Sequence, residues 1–384
     1  MRLRDPFRRA QVAIAALFCF LGFQYGTWAS RLPTLKAQLH LTEAQLGLLL
    51  MACGAGAAVS FPLVTVLMKR LGSRRLASLS ALCLGLLLLA LAVVPDYPVA
   101  VVIVGCDGIA VGCLNVAMNA QGAALEVAHG RTAMAKLHAT FSAGSLGAAL
   151  LASGVNTLTP SLAAHFGAAA AILLLLVAFA QTGLLTEDPK TEKKSRRRLS
   201  VPSRMTVWMG CAMAFGTVTE GAMNDWSALY MKDVLKAASS VAPMGIAVVS
   251  VMMVLARIFA DGWRTRWGDG RIVLAGSVLA GAGLAVALLV GGVVPALAGF
   301  ACVGLGVAAV TPCVYVAAAR QGPEALALVA AMGTVGLLAG PAMIGFIANA
   351  SSLVWGMGAV AAAAVLVSVC ATQIRWVPVT GNGA

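Results

Sequence analysis

The sequence predicts an all-α polytopic membrane protein, with twelve transmembrane helices in two pseudo-symmetric six-helix bundles. Three observations carry that expectation. Hydrophobic residues make up 60% of the 384 positions and charged residues only 11%, with a mean hydropathy of +0.91, against roughly 25% charged residues in an average soluble domain. The apolar residues fall into twelve long runs, each near the about 20 residues that a spanning helix needs. Lysine and arginine gather in alternate loops between those runs, as they do on the cytoplasmic side of multi-pass membrane proteins.

The first run, 11-34, follows Arg2, Arg4, Arg8 and Arg9 and reaches about Ala29 with no clear small-residue cleavage site, so it reads as an uncleaved first helix. The second, 43-68, stops at Lys69 and Arg70, and the third, 76-95, starts after Arg74 and Arg75. The fourth, 98-122, carries Asp107, Asn115 and Asn119; the fifth, 133-156, has His138 early in it; the sixth, 161-185, closes the first half. The polar stretch EDPKTEKKSRRRLSVPSR, from Glu187 to Arg204, then interrupts the pattern. It predicts a cytoplasmic linker over 187-203 between an N-terminal bundle, 1-186, and a C-terminal bundle, 204-384. The seventh run, 204-231, holds Glu220, Asn224 and Asp225, and the eighth, 240-263, holds Arg257 and Asp261. The ninth, 271-292, tenth, 294-319, eleventh, 325-349, and twelfth, 352-374, complete the set; the tenth adds Thr311, Pro312 and Tyr315, and Pro341 marks a bend in the eleventh.

Placing both termini in the cytoplasm puts 22 of the 27 basic residues on that side, leaving Arg31, Lys36, Lys232 and Lys236 opposite and Arg257 inside a helix. The net charge of +13 therefore marks topology, with a secondary attraction to anionic membrane lipid, and excludes a nucleic-acid-binding reading. All nine cysteines lie within predicted spans without a metal-ligand spacing, so they read as packing residues. No GxSxG, HExxH or Walker motif is present, so neither an enzyme, nor a cofactor, nor direct ATP hydrolysis is expected.

The halves echo each other. The loop KRLGSRRLASLSA after the second run matches TRWGDGRIVLAGS after the eighth, with Arg70, Gly72 and Arg75 falling on Arg266, Gly268 and Arg271 at a displacement of 196. Trp28-Ala-Ser answers Trp226-Ser-Ala at a displacement of 198. Shifts near half the chain length favour an internal repeat of the kind from which transporters are built. Spans three, six, nine and twelve are almost free of central polar groups, whereas one, four, seven and ten carry them. Lipid-facing positions do not tolerate such groups, so a polar cavity lined by spans one, four, seven and ten is expected.

These features resemble the major facilitator superfamily over essentially the whole chain. Its loop signature, Gly and Asp ahead of a basic cluster, is degraded after the second run, where Thr65 and Lys69 hold those positions. It is better kept after the eighth, as Arg257-Ile-Phe-Ala-Asp261 followed by Arg264, Arg266 and Gly268. The runs from Gly108 to Asn119 and from Glu220 to Ser227 are similar to the branch around the fucose:proton symporter and its bacterial inner-membrane relatives. The resemblance implies a monomeric carrier in the bacterial inner membrane that imports a small hydroxylated, sugar-like solute with a proton. Proton-driven efflux of drugs or metabolites is the alternative.

An acid within a span is a functional candidate by default. Asp107 sits about nine residues into its helix, roughly 14 Å along the axis, near the midplane. It meets the requirement for a group that gains and loses a proton in each cycle, and the symporter branch carries a proton-site carboxylate on this helix. Glu220, with Asn224 and Ser227 on the same helix face, is the second proton-coupling candidate. Asn115 and Asn119, one turn apart, offer donors and acceptors to hydroxyl groups. Gln24 and Trp28 form a similar stripe on the first span, and His138, Asn224 and Trp226 complete the expected substrate contacts. For each of these the alternative is a structural hydrogen bond between helices. Arg31 and Asp225 stand at the outer mouth and are expected to pair as a gate, or else to be separately solvated. Arg257 and Asp261, following the family pattern, are expected to stabilise one conformation.

Overall fold

The computed structural model describes residues 5–131, 133–186 and 203–376, with backbone only at Ala135, Asp261 and Pro323. The linker expected at 187-203 thus lies, except for Ser203, outside the described residues. The helices are α1 (Pro6–Ala29), α2 (Leu32–Gln38), α3 (Glu43–Ala92), α4 (Tyr97–His129), α5 (Met134–Leu158), α6 (Leu162–Gln181) and α7 (Arg204–Leu229). A π-helical turn (Tyr230–Val234) leads on to α8 (Met244–Trp267), α9 (Asp269–Val290), α10 (Val293–Val307), α11 (Val310–Gln321), α12 (Pro323–Ala350) and α13 (Leu353–Gln373). Short polar side chains start several of them. Asp5 accepts a hydrogen bond from the Phe7 amide, Asp96 from Val99, Ser161 from Ala164 and Ser203 from Thr206, satisfying amides that have no intrahelical partner.

Among the described residues, nine helical stretches are each long and apolar enough to cross a membrane. One of them, α3, runs for 50 residues and breaks at Gly72, so it carries two crossings; about 75 Å of helix is more than twice the hydrocarbon thickness. The α10–α11 pair makes one crossing. Two more helices complete the set: α7, less apolar because it holds Glu220, Asn224 and Asp225, and α8, which carries the shorter apolar stretch Met244–Ala260. Counted with them, the crossings number twelve. Large apolar side chains cover the outer surfaces, Leu86, Leu175 and Leu289 among them, the arrangement that lipid solvates.

Helix contacts divide the chain into two compact units, one of Met1–Leu41 and Leu49–Lys193, the other of Thr42–Leu48 and Lys194–Ala384. In the first, α1 lies on α5 with no side chain between them at Gly22 and Gly144. A Cβ on Gly22 would sit 1.9 Å from the Phe141 carbonyl oxygen, and one on Gly144 2.2 Å from that of Cys19. The Ser145 hydroxyl donates to the Gly22 carbonyl at 3.0 Å. Helix α4 meets α3 in the same manner, Gly108 against Cys53. The second unit repeats the device between α7 and α12: a Cβ on Gly336 would lie 2.3 Å from the Ala214 carbonyl oxygen, and the Thr217 hydroxyl donates to Gly333 at 2.9 Å. Small residues allow such backbone approach where apolar burial gives helices little reason to associate.

The repeat read from the loops has a backbone counterpart. Gly72 adopts φ 73°, ψ 165°, and Gly268, its partner at a displacement of 196, adopts φ 80°, ψ 152°. That conformation is essentially restricted to glycine, so each half turns the same corner with the same residue.

Candidate functional site

In the first unit, α1 and α4 bring Gln24 and Asp107 together. Gln24 Nε2 donates to Asp107 Oδ1 at 2.8 Å; Gln24 is fully buried and Asp107 is 6% exposed. The other oxygen of each, Gln24 Oε1 and Asp107 Oδ2, is buried without a hydrogen-bond partner. A small void, about 10 Å³, adjoins the pair and is otherwise walled by Trp28, Leu87, Leu88, Leu91, Ile103 and Val104. It is of the order of the smallest cavity that holds one water molecule.

Trp28 stands one turn beyond Gln24, also buried, its ring set edge-on to Tyr25 and its indole N–H unpartnered. Gln24 and Trp28 therefore belong to the interior here and present no open surface. Asn115 is exposed, and Asn119 donates to its side-chain oxygen at 2.6 Å, so these two interact with each other. His138 is exposed on α5 and meets the edge of Phe18 at 5.0 Å between ring centroids. Arg31, at the end of α1, is 1% exposed; one terminal nitrogen donates to the Pro160 carbonyl, and Nε has no partner.

His165 was not singled out from the sequence. It is fully buried in α6, both ring nitrogens lack hydrogen-bond partners, and Arg31 lies within its electrostatic reach. The signal was available: it is the one ionisable residue of the sixth predicted span.

The second unit joins Glu220 on α7 to Arg257 on α8, with a terminal guanidinium nitrogen 3.2 Å from Glu220 Oε1. Sequence spacing groups Arg257 with Asp261, one turn along the same helix, and Glu220, as a proton-coupling candidate, with Asn224 and Ser227. The side chain of Asp261 lies outside the described residues. Asn224 donates to the Glu220 carbonyl at 3.1 Å, whereas Ser227 is fully buried against Gly245 and is no part of an open stripe. Asp225 is 3% exposed. Trp226 is fully buried, and its indole N–H, like that of Trp28, has no partner.

Beyond Arg257 on α8, Arg264 grips Asp269 through two contacts, 2.8 and 3.2 Å, across the Gly268 corner. The corresponding corner of the first unit is held differently. Arg74 donates to the Gln181 carbonyl at 2.9 Å, and buried Gln121 bonds Ser73 and the backbone of Leu185.

Residues 12–324 match the family model of the Major Facilitator Superfamily. An uncharacterised MFS-type transporter of Yersinia pestis is 34% identical over 362 residues, covering 91% of this chain and 92% of the relative. The membrane protein MosC of Rhizobium meliloti is 29% identical, covering 89% and 84%. Among solved structures, a mutant of the nucleoside transporter NupG superposes with a TM-score of 0.77 at 14% identity over 96% of this chain and 99% of its own. A bacterial homologue of the human lysosomal transporter Spinster gives 0.74 at 14% identity, over 97% and 99%. With twelve crossings and a family match over most of its length, the chain belongs to the Major Facilitator Superfamily and is a multi-pass membrane transporter.

Proposed function

We propose that this protein is a secondary active transporter that imports a small polar, hydroxylated solute together with a proton, by alternating access, with Asp107 carrying the coupling proton. The observation that carries the reading is the buried Gln24–Asp107 pair. One hydrogen bond is made, and two oxygen atoms, Gln24 Oε1 and Asp107 Oδ2, face the interior with no donor. Unsatisfied buried acceptors cost about 1–3 kcal/mol each. A proton on Oδ2 supplies the missing donor and takes away the buried charge; releasing it restores both costs. A carboxyl group in that setting has two states separated by one proton and by its hydrogen bonding, which is what coupling requires.

Glu220 has a different role in this reading. Held by Arg257, it keeps its charge balanced inside the second unit; Asn224, anchored on the Glu220 backbone carbonyl, offers its amide to a solute hydroxyl, while Asn115 and Asn119 offer the same chemistry in the first. The one-sided distribution of lysine and arginine supports insertion in a bacterial inner membrane with both termini in the cytoplasm.

Purified protein in liposomes, challenged with sugars, polyols, organic acids and cationic drugs while internal and external pH are followed, tests the proposal. External alkalinisation on adding a hydroxylated solute is the expected result. Collapse of a preset proton gradient by a drug, with no response to any polar solute, would overturn import in favour of efflux.

A further inference from the structure

An apolar groove of about 420 Å³ opens on the second unit beside the α8–α9 corner, between α8, α9 and α10. Its α8 wall is an aromatic ladder. Trp263 and Trp267, one turn apart, line the groove and stack at 6.3 Å and 27°; Phe259, a turn earlier and outside the lining, stacks on Trp263 at 5.9 Å and 24°. Its floor is bare backbone, because α9 and α10 touch at Gly276 and Gly306, where a Cβ on either would come within 2.4 Å of the other's carbonyl oxygen. Trp267 is 48% exposed and Leu279 40%, so the groove lies on an outer surface that, in a membrane protein, lipid covers.

The mouth is cationic. Arg271 lines the groove and is exposed, and the Arg266 guanidinium lies over the Trp267 ring at 5.7 Å. Asp269, the acid across the corner, is already committed: it is 4% exposed and engaged by Arg264. Among the described residues no carboxylate pairs with Arg266 or Arg271. Two guanidinium groups with no carboxylate partner among the described residues, at the end of an apolar trough, match a ligand with a phosphate at one end and a hydrocarbon chain at the other.

The fold itself does not require this arrangement. At the displacement of 196, Phe259, Trp263 and Trp267 correspond to Leu63, Leu67 and Leu71, so the first half turns the same glycine corner without a ladder.

We propose that this groove binds an anionic glycerophospholipid, its phosphate held by Arg271 and Arg266 and an acyl chain lying along Trp263 and Trp267 over the Gly276–Gly306 floor. A zwitterionic headgroup brings its own ammonium and would meet the same arginines with less net attraction. The inference needs only a membrane-embedded chain and is independent of the transported solute.

Full-length protein reconstituted with chain-brominated lipids tests it, because bromine quenches only tryptophans in contact with the chain. Brominated phosphatidylglycerol is expected to quench a component of the emission more effectively than brominated phosphatidylcholine, and that component is expected to vanish in Trp263→Phe/Trp267→Phe. Arg271→Ala and Arg266→Ala are each expected to lower the preference for phosphatidylglycerol about five-fold, while Arg75→Ala, at the corresponding corner, leaves it unchanged. Equal quenching by the two lipids, or a preference that survives removal of both arginines, would overturn the proposal. Should an arginine variant fold poorly, competition by unbrominated phosphatidylglycerol against phosphatidylcholine on the native protein decides the same question.

Discussion

Glu220 and Arg257, on neighbouring helices of the second unit, stand 3.2 Å apart with their side chains only 26% and 19% exposed. Partly buried charges gain from pairing and suffer when one partner is removed, since the survivor keeps its desolvation cost. Arg257→Ala is therefore expected to destabilise the protein more than the double variant Arg257→Ala/Glu220→Gln. Thermal unfolding in detergent across the four-variant cycle should give a coupling energy of about 0.5–3 kcal/mol; additive effects would show that the pair contributes no interaction.

Gln24 acts on Asp107 as a hydrogen-bond donor. Gln24→Leu removes that donor and leaves the buried carboxyl with none, so stability should fall by about 1–3 kcal/mol. Asp107→Asn keeps the shape and an acceptor oxygen, and should leave folding nearly unchanged. Melting curves of the two variants check the difference.

Backbone contact between α1 and α5, and between α7 and α12, leaves no room for a methyl group at Gly22 or Gly336. Alanine at either is expected to lower the yield of folded protein and the Tm. Gly154→Ala, where a Cβ would meet nothing within 4 Å, serves as the silent control in the same size-exclusion and melting assays.

The two corner glycines, Gly72 and Gly268, hold positive φ with extended ψ. Alanine at either should cost about 1–3 kcal/mol of backbone strain. Asparagine, which suits the ordinary left-handed region better, should not rescue it, because ψ near 150–165° lies outside that region. Equal Tm values for Gly72→Ala and the native protein would contradict the assignment.

Much of the fold was legible because the bilayer imposes lengths and polarity that composition alone reveals. The Gly72–Gly268 repeat could be read from two loops, since a glycine-only corner leaves a glycine in each copy. Side-chain partners were less legible. Asp107 stood out as an acid in a span, but Gln24 as its donor required the α1–α4 geometry, and sequence spacing instead joined Gln24 to Trp28. Arg257 was grouped with Asp261 by helical spacing, a rule that holds within one helix and is silent about the neighbour that brings Glu220. Ser227 shares a face with Glu220 by periodicity, yet the approach of Gly245 buries it. His165 lies near one end of a span almost free of central polar groups, so the polarity pattern that marks spans one, four, seven and ten passes over it.

The most direct test of Asp107 as the carrier of the coupling proton separates exchange from accumulation. In liposomes loaded with the transported solute, counterflow needs binding and alternating access, whereas uptake against a concentration gradient also needs the proton. Native protein is expected to do both. Asp107→Asn is expected to retain counterflow and to lose proton-driven accumulation, and Asp107→Glu to recover part of it. Undiminished accumulation driven by a proton gradient in Asp107→Asn would contradict the account.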